Sequence, residues 1–303
     1  MIDNVKIFVT GRHRLENHIK NNKLMDFTSK VNMLTGEVME YPKKGMDLNL
    51  DVSITSQSAI ILGSFHKYKN LLEDNVNQNH DDFNYCQIQE IISGLIKKYN
   101  IEKDTKINNL EFGFNLVVSK DPKIILDNNV LMNSYKAPNK NLKFSGSGDY
   151  KEFQLTDYRI KLYNKSKQYR LKSNILRVEL KIIQTRLLQK LRIHCLEDLL
   201  NVEALTRLFH LFMDKFEGLN IIDNFDPETI PEKDYNKLIK YTNPNYWISI
   251  KEKKSNKVIA RLKTDFVTLL NKYKLLETKN EIREKLNLKF VELLESDCYR
   301  NVA

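Results

Sequence analysis

Three stretches of this chain place an apolar residue at every second position: LEFGFNL (110–116), RIKLYNK (159–165) and LRVELKI (176–182). Successive side chains of a strand point to opposite faces, so each stretch reads as a strand with one dry and one polar face. Phe112, Phe114 and Leu116 share a face against Glu111, Gly113 and Asn115. Ile160 and Leu162 oppose Lys161, Tyr163 and Lys165, and Leu176, Val178, Leu180 and Ile182 oppose Arg177, Glu179 and Lys181. A dry face has to be covered, which excludes isolated ribbons and requires a sheet packed against helices.

The remaining chain supplies both. VKIFV (5–9) reads as a strand, and LNLDVSITSQSAIILGSF (48–65) as two strands around a Ser/Gln turn. Residues 81–101 carry Ile88, Ile91, Ile92, Leu95 and Ile96 on one helical stripe. Asp121 and Pro122 suit the first turn of a short helix over 121–131, and FSGSGDY (144–150) reads as a connecting loop. Beyond Ile183 the pattern turns helical, with a core stripe of Leu205, Leu208, Phe209, Phe212 and Phe216 and a stop at Gly218. A two-proline linker (224–234) precedes amphipathic helices near 258–275 and 278–295. The expectation is an α+β fold. A central, mainly antiparallel sheet with helices flanking one face spans residues 1–183, and a helical domain spans 184–303.

At 303 residues, 41% of them hydrophobic and 29% charged, the chain can fill a core. Its apolar runs fall short of the ~20 residues that span a bilayer. The opening MIDNVKIFVTGRHR has no apolar signal region. These features read as a cytoplasmic protein without membrane contact. Cys86, Cys195 and Cys298 are widely spaced and read as reduced thiols. The net charge of +10 points first to nucleic acid or another polyanion, although a Lys- and Asn-rich composition also accompanies AT-rich coding.

The polar faces of the three strands admit two readings. One is a solvated surface with cross-strand Lys–Glu pairs worth ~0.2–1 kcal/mol each. The other is chemical. Glu111 and Glu179 offer hard oxygen ligands that suit Mg²⁺ or Mn²⁺. Lys161, Lys165 and Arg177 can hold a phosphate and stabilise charge developing on it. Among them stands Tyr163, whose phenol becomes a nucleophile when cations stabilise its anion. Such a set suggests metal-assisted phosphodiester transesterification. The stretch KEKKSNKVIARLK (251–263) adds Lys251, Lys253, Lys254, Lys257, Arg261 and Lys263 against one acid, Glu252, and can contact a nucleic-acid backbone.

"KLYNK…ILRVELK" resembles a block shared by the rolling-circle replication initiators of filamentous phages and small plasmids, in which a K-x-Y-[DN]-K strand precedes an R-[FV]-E strand. MIDNVKI is similar to their usual start, and Ser64, Lys67, Tyr68, Asn79 and Phe83 match their S-x-x-K-[FY]-x-x-G-x-N-x-x-x-F segment. NLEFGFNL takes the place of the acidic strand, and the likeness runs from about residue 1 to 200. It implies an HUH-endonuclease-like, RRM-like nuclease core that nicks single-stranded or hairpin origin DNA. In that family a tyrosine attacks the scissile phosphate, leaving a 5′-phosphotyrosine and a 3′-hydroxyl, with a divalent metal polarising the phosphate. DNA is the implied partner, with a host helicase or polymerase beside it.

On this pattern Tyr163 is the candidate nucleophile, Lys161, Lys165 and Arg177 assist it, and Lys67 contacts DNA. Glu111, Glu179 and His66 are the candidate metal ligands. The sequence departs from the family in two ways. It has no His-hydrophobic-His pair, since His66 and His80 stand alone. The helix segment IQTRLLQKL, where some plasmid relatives carry the nucleophile, has no tyrosine. Tyr150, Tyr158 and Tyr169 therefore stay beside Tyr163 as candidates, and a non-catalytic DNA-binding protein of the same fold is the alternative function.

Overall fold

The computed structural model describes residues 1–139 and 149–296. In chain order these form β1 (Ile2–Val9), α1 (Arg12–Asn21), β2 (Lys43–Asp47), β3 (Leu50–Ile54), β4 (Ala59–Ser64), α2 (Phe65–Glu73) and α3 (Tyr85–Tyr99). Next come β5 (Lys106–Val117), α4 (Pro122–Ile124), β6 (Val130–Asn133), β7 (Tyr150–Gln154), β8 (Tyr158–Asn164), α5 (Lys165–Tyr169) and β9 (Ile175–Ile182). The last part holds α6 (Thr185–Lys190), α7 (Val202–Glu217), β10 (Leu219–Ile221), α8 (Glu232–Thr242), α9 (Pro244–Lys251), α10 (Asn256–Lys272) and α11 (Glu277–Glu295).

Eight strands make one sheet in the order β2-β3-β4-β1-β5-β9-β8-β7, antiparallel at every neighbouring pair. The fold is α+β, as the strand patterns require. β10 pairs with β6 in a separate ribbon. The helix starts obey local chemistry. The Ser64 hydroxyl accepts the amide of Lys67 to cap α2, and Asn84 with Gln87 closes a capping box on α3. Asp121 caps α4 as expected, but the helix runs on into a π turn over 125–129 before β6. Between β8 and β9 the expected polar turn contains helix α5, capped by Asn164. Lys165 therefore leaves the strand and becomes the first residue of that helix. The loop FSGSGDY falls largely outside the described residues.

The dry face of the sheet carries Phe112 and Phe114 of β5, which meet Phe209 and Phe212 of α7 edge-on. Phe290 of α11 stacks on Phe209 at 4.0 Å. Packing thus crosses residue 183. Helices α7 and α11 cover the sheet, while α8, α9 and α10 enclose a second core of Leu238, Tyr241, Trp247, Phe266 and Leu269 against Met132 of β6. Among the described residues no helix is long and apolar enough to cross a membrane. Cys195 is a free thiol, whereas Cys86 is disulfide-bonded, contrary to the reduced thiol expected from spacing.

Candidate active site

The polar face of β1, β5, β9, β8 and β7 lines a cleft of about 580 Å³. Register fixes what faces it. β9 sets Glu179 opposite Gly113 of β5 on one side and Lys161 of β8 on the other, and Arg177 lies opposite Asn115 and Tyr163. Glu111 lies opposite Lys181. Gly113 is needed for this closeness: a Cβ there would come within 2.5 Å of the Val178 carbonyl and 2.8 Å of the Glu179 Cα.

A third carboxylate joins from β1. Ile2 pairs with Phe112 and Val5 with Leu110, so Asp3 and Asn4 together oppose Glu111. This bulge reverses the alternation. Without it Asp3 would share the buried apolar side of Val5, Ile7 and Val9; with it, Asp3 faces the cleft. Asp3, Glu111 and Glu179 are all buried, and their ligand oxygens lie within 4.8 Å of one another. Three hard oxygen donors in this arrangement fit Mg²⁺ or Mn²⁺.

Cations answer the carboxylates charge for charge. Lys161 Nζ donates to Glu179 at 2.7 Å and to Glu111 at 3.2 Å, and Lys181 Nζ donates to Glu111 at 2.7 Å. Arg177 donates to Glu179 Oε2 at 3.0 Å, to Asp3 Oδ2 at 2.9 Å and to Asn115 at 3.2 Å. Burial alone would raise all three carboxyls. Arg177 keeps Asp3 below its usual range, and Lys161 with Arg177 keeps Glu179 well below it. Glu111 goes the other way, raised by burial and by the neighbouring Glu179. Lys161 is held above the ordinary lysine range, since Glu179 and Glu111 outweigh its burial.

The loop before α3 ties the site together. Asn79 Nδ2 donates to Asp3 Oδ2 at 2.8 Å, while its Oδ1 accepts Lys165 Nζ at 2.6 Å and the Tyr169 phenol at 2.8 Å. The Ser64 hydroxyl also donates to Asp3. Lys165 is buried in the cleft wall, 5.1 Å from the Tyr163 ring centroid, and burial together with Arg177 pushes its ammonium down to about 7. The Tyr163 phenol donates to Glu179 Oε2 at 3.2 Å; burial and that carboxylate push it well above the ordinary phenol range. Tyr150 lines the same cleft opposite Tyr163. Tyr169 stands behind Asn79, and Tyr158 packs under Lys215.

The structure thus brings together Glu111, Glu179, Lys161, Lys165, Arg177 and Tyr163, with Lys67 on the rim. It does not bring His66 to the carboxylates. That ring lies in α2, stacks on Phe83 at 5.0 Å and hydrogen-bonds Asp81 at 3.0 Å, and it is no part of the cluster that can hold an ion. Lys251, Lys253, Lys254, Lys257 and Arg261 are exposed around the α9–α10 junction and are not among the residues lining the cleft. Sequence reading missed Asp3, Glu152 and the linking role of Asn79, and placed Lys181 on the polar face without giving it a role. Asn79 at least stands in the matched segment, whereas the bulge that turns Asp3 has no sequence signal.

No protein-family model and no curated protein matches this chain. Among solved structures it is similar to a rolling circle replication initiator protein from Geobacillus stearothermophilus. That likeness covers 77% of this chain and 89% of the other, at 12% identity and a TM-score of 0.37. A likeness of that degree transfers no residue and no role.

Proposed function

We propose that this chain nicks one DNA strand by metal-assisted transesterification and so starts rolling-circle replication. The observation that supports this reading is the convergence of Asp3, Glu111 and Glu179, their oxygens within 4.8 Å, beside the Tyr163 phenol and the cations Lys161, Lys165 and Lys181 in one cleft. The three carboxylates would hold Mg²⁺ or Mn²⁺, which when bound polarises the scissile phosphate and offsets the charge that raises the Tyr163 pKa. Tyr163 Oη attacks phosphorus, the bond to the 3′-oxygen breaks, and a 5′-phosphotyrosine and a 3′-hydroxyl result. The phenol faces Glu179 Oε2, but Lys161 and Arg177 hold that carboxylate ionised and it is given to the metal, so the phenol proton leaves to water in the cleft. The departing 3′-oxygen takes a proton from Lys165, whose ammonium is acidified to about 7. Lys161 stabilises charge on the phosphate, and Arg177 orients Asp3 and Glu179 from the buried side. Lys67 and the exposed set Lys251, Lys253, Lys254, Lys257 and Arg261 contact the DNA backbone. A single-stranded or hairpin origin is the substrate, and the new 3′-hydroxyl serves a host polymerase.

Incubation with Mn²⁺ and a single-stranded oligonucleotide library, followed by a denaturing gel, tests this. The expected product is a protein–DNA adduct that survives SDS and is lost in Tyr163→Phe and Asp3→Asn. One observation favours a second reading, a non-catalytic DNA-binding protein: the Tyr163 hydroxyl is buried and its proton held by Glu179. Retention of DNA by the native protein without cleavage would select that reading.

A further inference from the structure

Among the described residues lining the cleft, Glu152 is a buried carboxylate that the scheme above leaves unused. It sits on β7 directly opposite Lys161 of β8. Its Oε2 accepts the Tyr150 phenol. Its Oε1 is buried and accepts no hydrogen bond; the Arg159 guanidinium stands 3.5 Å away, an ionic contact without hydrogen-bond geometry. A buried carboxylate oxygen without a donor is costly, so its presence calls for a donor that arrives in another state. Cross-strand partners have Cβ atoms about 5 Å apart, and the lysine stem is flexible. Lys161 Nζ can therefore reach Glu152 as readily as Glu111 and Glu179.

A divalent ion on the three carboxylates would meet cations already there. Arg177 is fixed by three partners and Lys181 touches only the outer Glu111, but Lys161 bridges Glu111 and Glu179. Lys161 is the cation that must yield. We propose that Glu152 is a positioning residue that receives Lys161 when a divalent metal takes the carboxylates, keeping the ammonium inside the cleft. This rests on the metal reading of the site and adds to it a second seat for the lysine. Metal binding then moves Lys161 from the carboxylates that hold the ion to Glu152, within the same cleft.

Mn²⁺ binding without DNA, measured by calorimetry and by the loss of the free-ion paramagnetic resonance signal, tests the exchange. The variants are Glu152→Gln, Lys161→Met and the pair combined, with Lys161→Gln as a second neutral form and circular dichroism to confirm folding. Glu152→Gln binds Mn²⁺ on the order of tenfold more weakly than the native chain, because Lys161 has lost its second seat. Lys161→Met binds more tightly than the native chain, and adding Glu152→Gln to it changes nothing. An equal weakening by Glu152→Gln in both backgrounds, or none in the native background, overturns the proposal while leaving the metal site standing. Absence of Mn²⁺ binding in the native chain and in Lys161→Met overturns the metal reading and this inference with it.

Discussion

Replacing Arg177 by Met keeps the length of the buried stem and removes only the guanidinium. The structure sets the size of the effect. Arg177 is almost wholly buried and makes two charge-assisted bonds, at 2.9 Å to Asp3 and 3.0 Å to Glu179, plus one at 3.2 Å to Asn115. Removing one member of such a buried set costs about 3–5 kcal/mol, because the carboxylates stay buried without their partner. Lys161 remains on Glu179 and Asn79 on Asp3, so the lower half of that range, about 3–4 kcal/mol, is expected. The cost depends on pH with a definite sign. Asp3 and Glu179 have depressed folded-state pKa values, so their stabilisation is present above the ordinary carboxylate range and lost as pH falls below it, through the depressed folded-state values. Arg177→Met weakens that depression, so its penalty is largest near neutrality and shrinks on acidification to about pH 3, below the ordinary carboxylate range. Urea unfolding followed by circular dichroism at both pH values measures it. A penalty below about 1 kcal/mol, or one that stays constant on acidification, would refute the account of Arg177 as the buried counter-ion of the site.

Gly113→Ala forces a Cβ to within 2.5 Å of the Val178 carbonyl, so we expect a loss of about 1–3 kcal/mol in thermal melts together with weakened Mn²⁺ affinity. With Lys165 as proton donor, protonated below about 7, the single-turnover nicking rate falls as pH rises through about 7, and Lys165→Arg flattens that limb of the profile. His66→Gln leaves Mn²⁺ affinity within about threefold in calorimetry, since the ring faces Asp81 and Phe83 rather than the carboxylates.

Strand alternation made much of this site readable. Glu111, Lys161, Tyr163 and Glu179 line the cleft, with Arg177 buried among them, because their neighbours in sequence are Phe, Leu, Ile and Val, which had to go the other way. Asp3 was hidden by the same rule, since alternation counted from Val5 sends it into the core and only the two-for-one register of the bulge turns it out. Lys165 was assigned to a strand face that ends one residue earlier, at Asn164, where a side-chain cap starts α5. His66 looked like a ligand because histidine is a common one, but α2 packs its ring flat on Phe83, a contact between positions 17 residues apart that pattern cannot supply. The return of α11 to β5 is the same kind of fact at longer range. Amphipathic spacing marks a helix near 278–295 but does not say which surface it will cover.

β5 is both the floor of the cleft and the ceiling of an aromatic stack. Glu111, Gly113 and Asn115 look one way, and Phe112 and Phe114 look the other, onto rings of α7 and α11. A single peptide plane separates the two environments. Random mutagenesis screened for altered strand choice or metal preference should therefore return hits at Phe209, Phe212 and Phe290, on the blind side of the sheet, as well as around the carboxylates. Reshaping these rings offers a way to adjust the cleft from residues that do not line it.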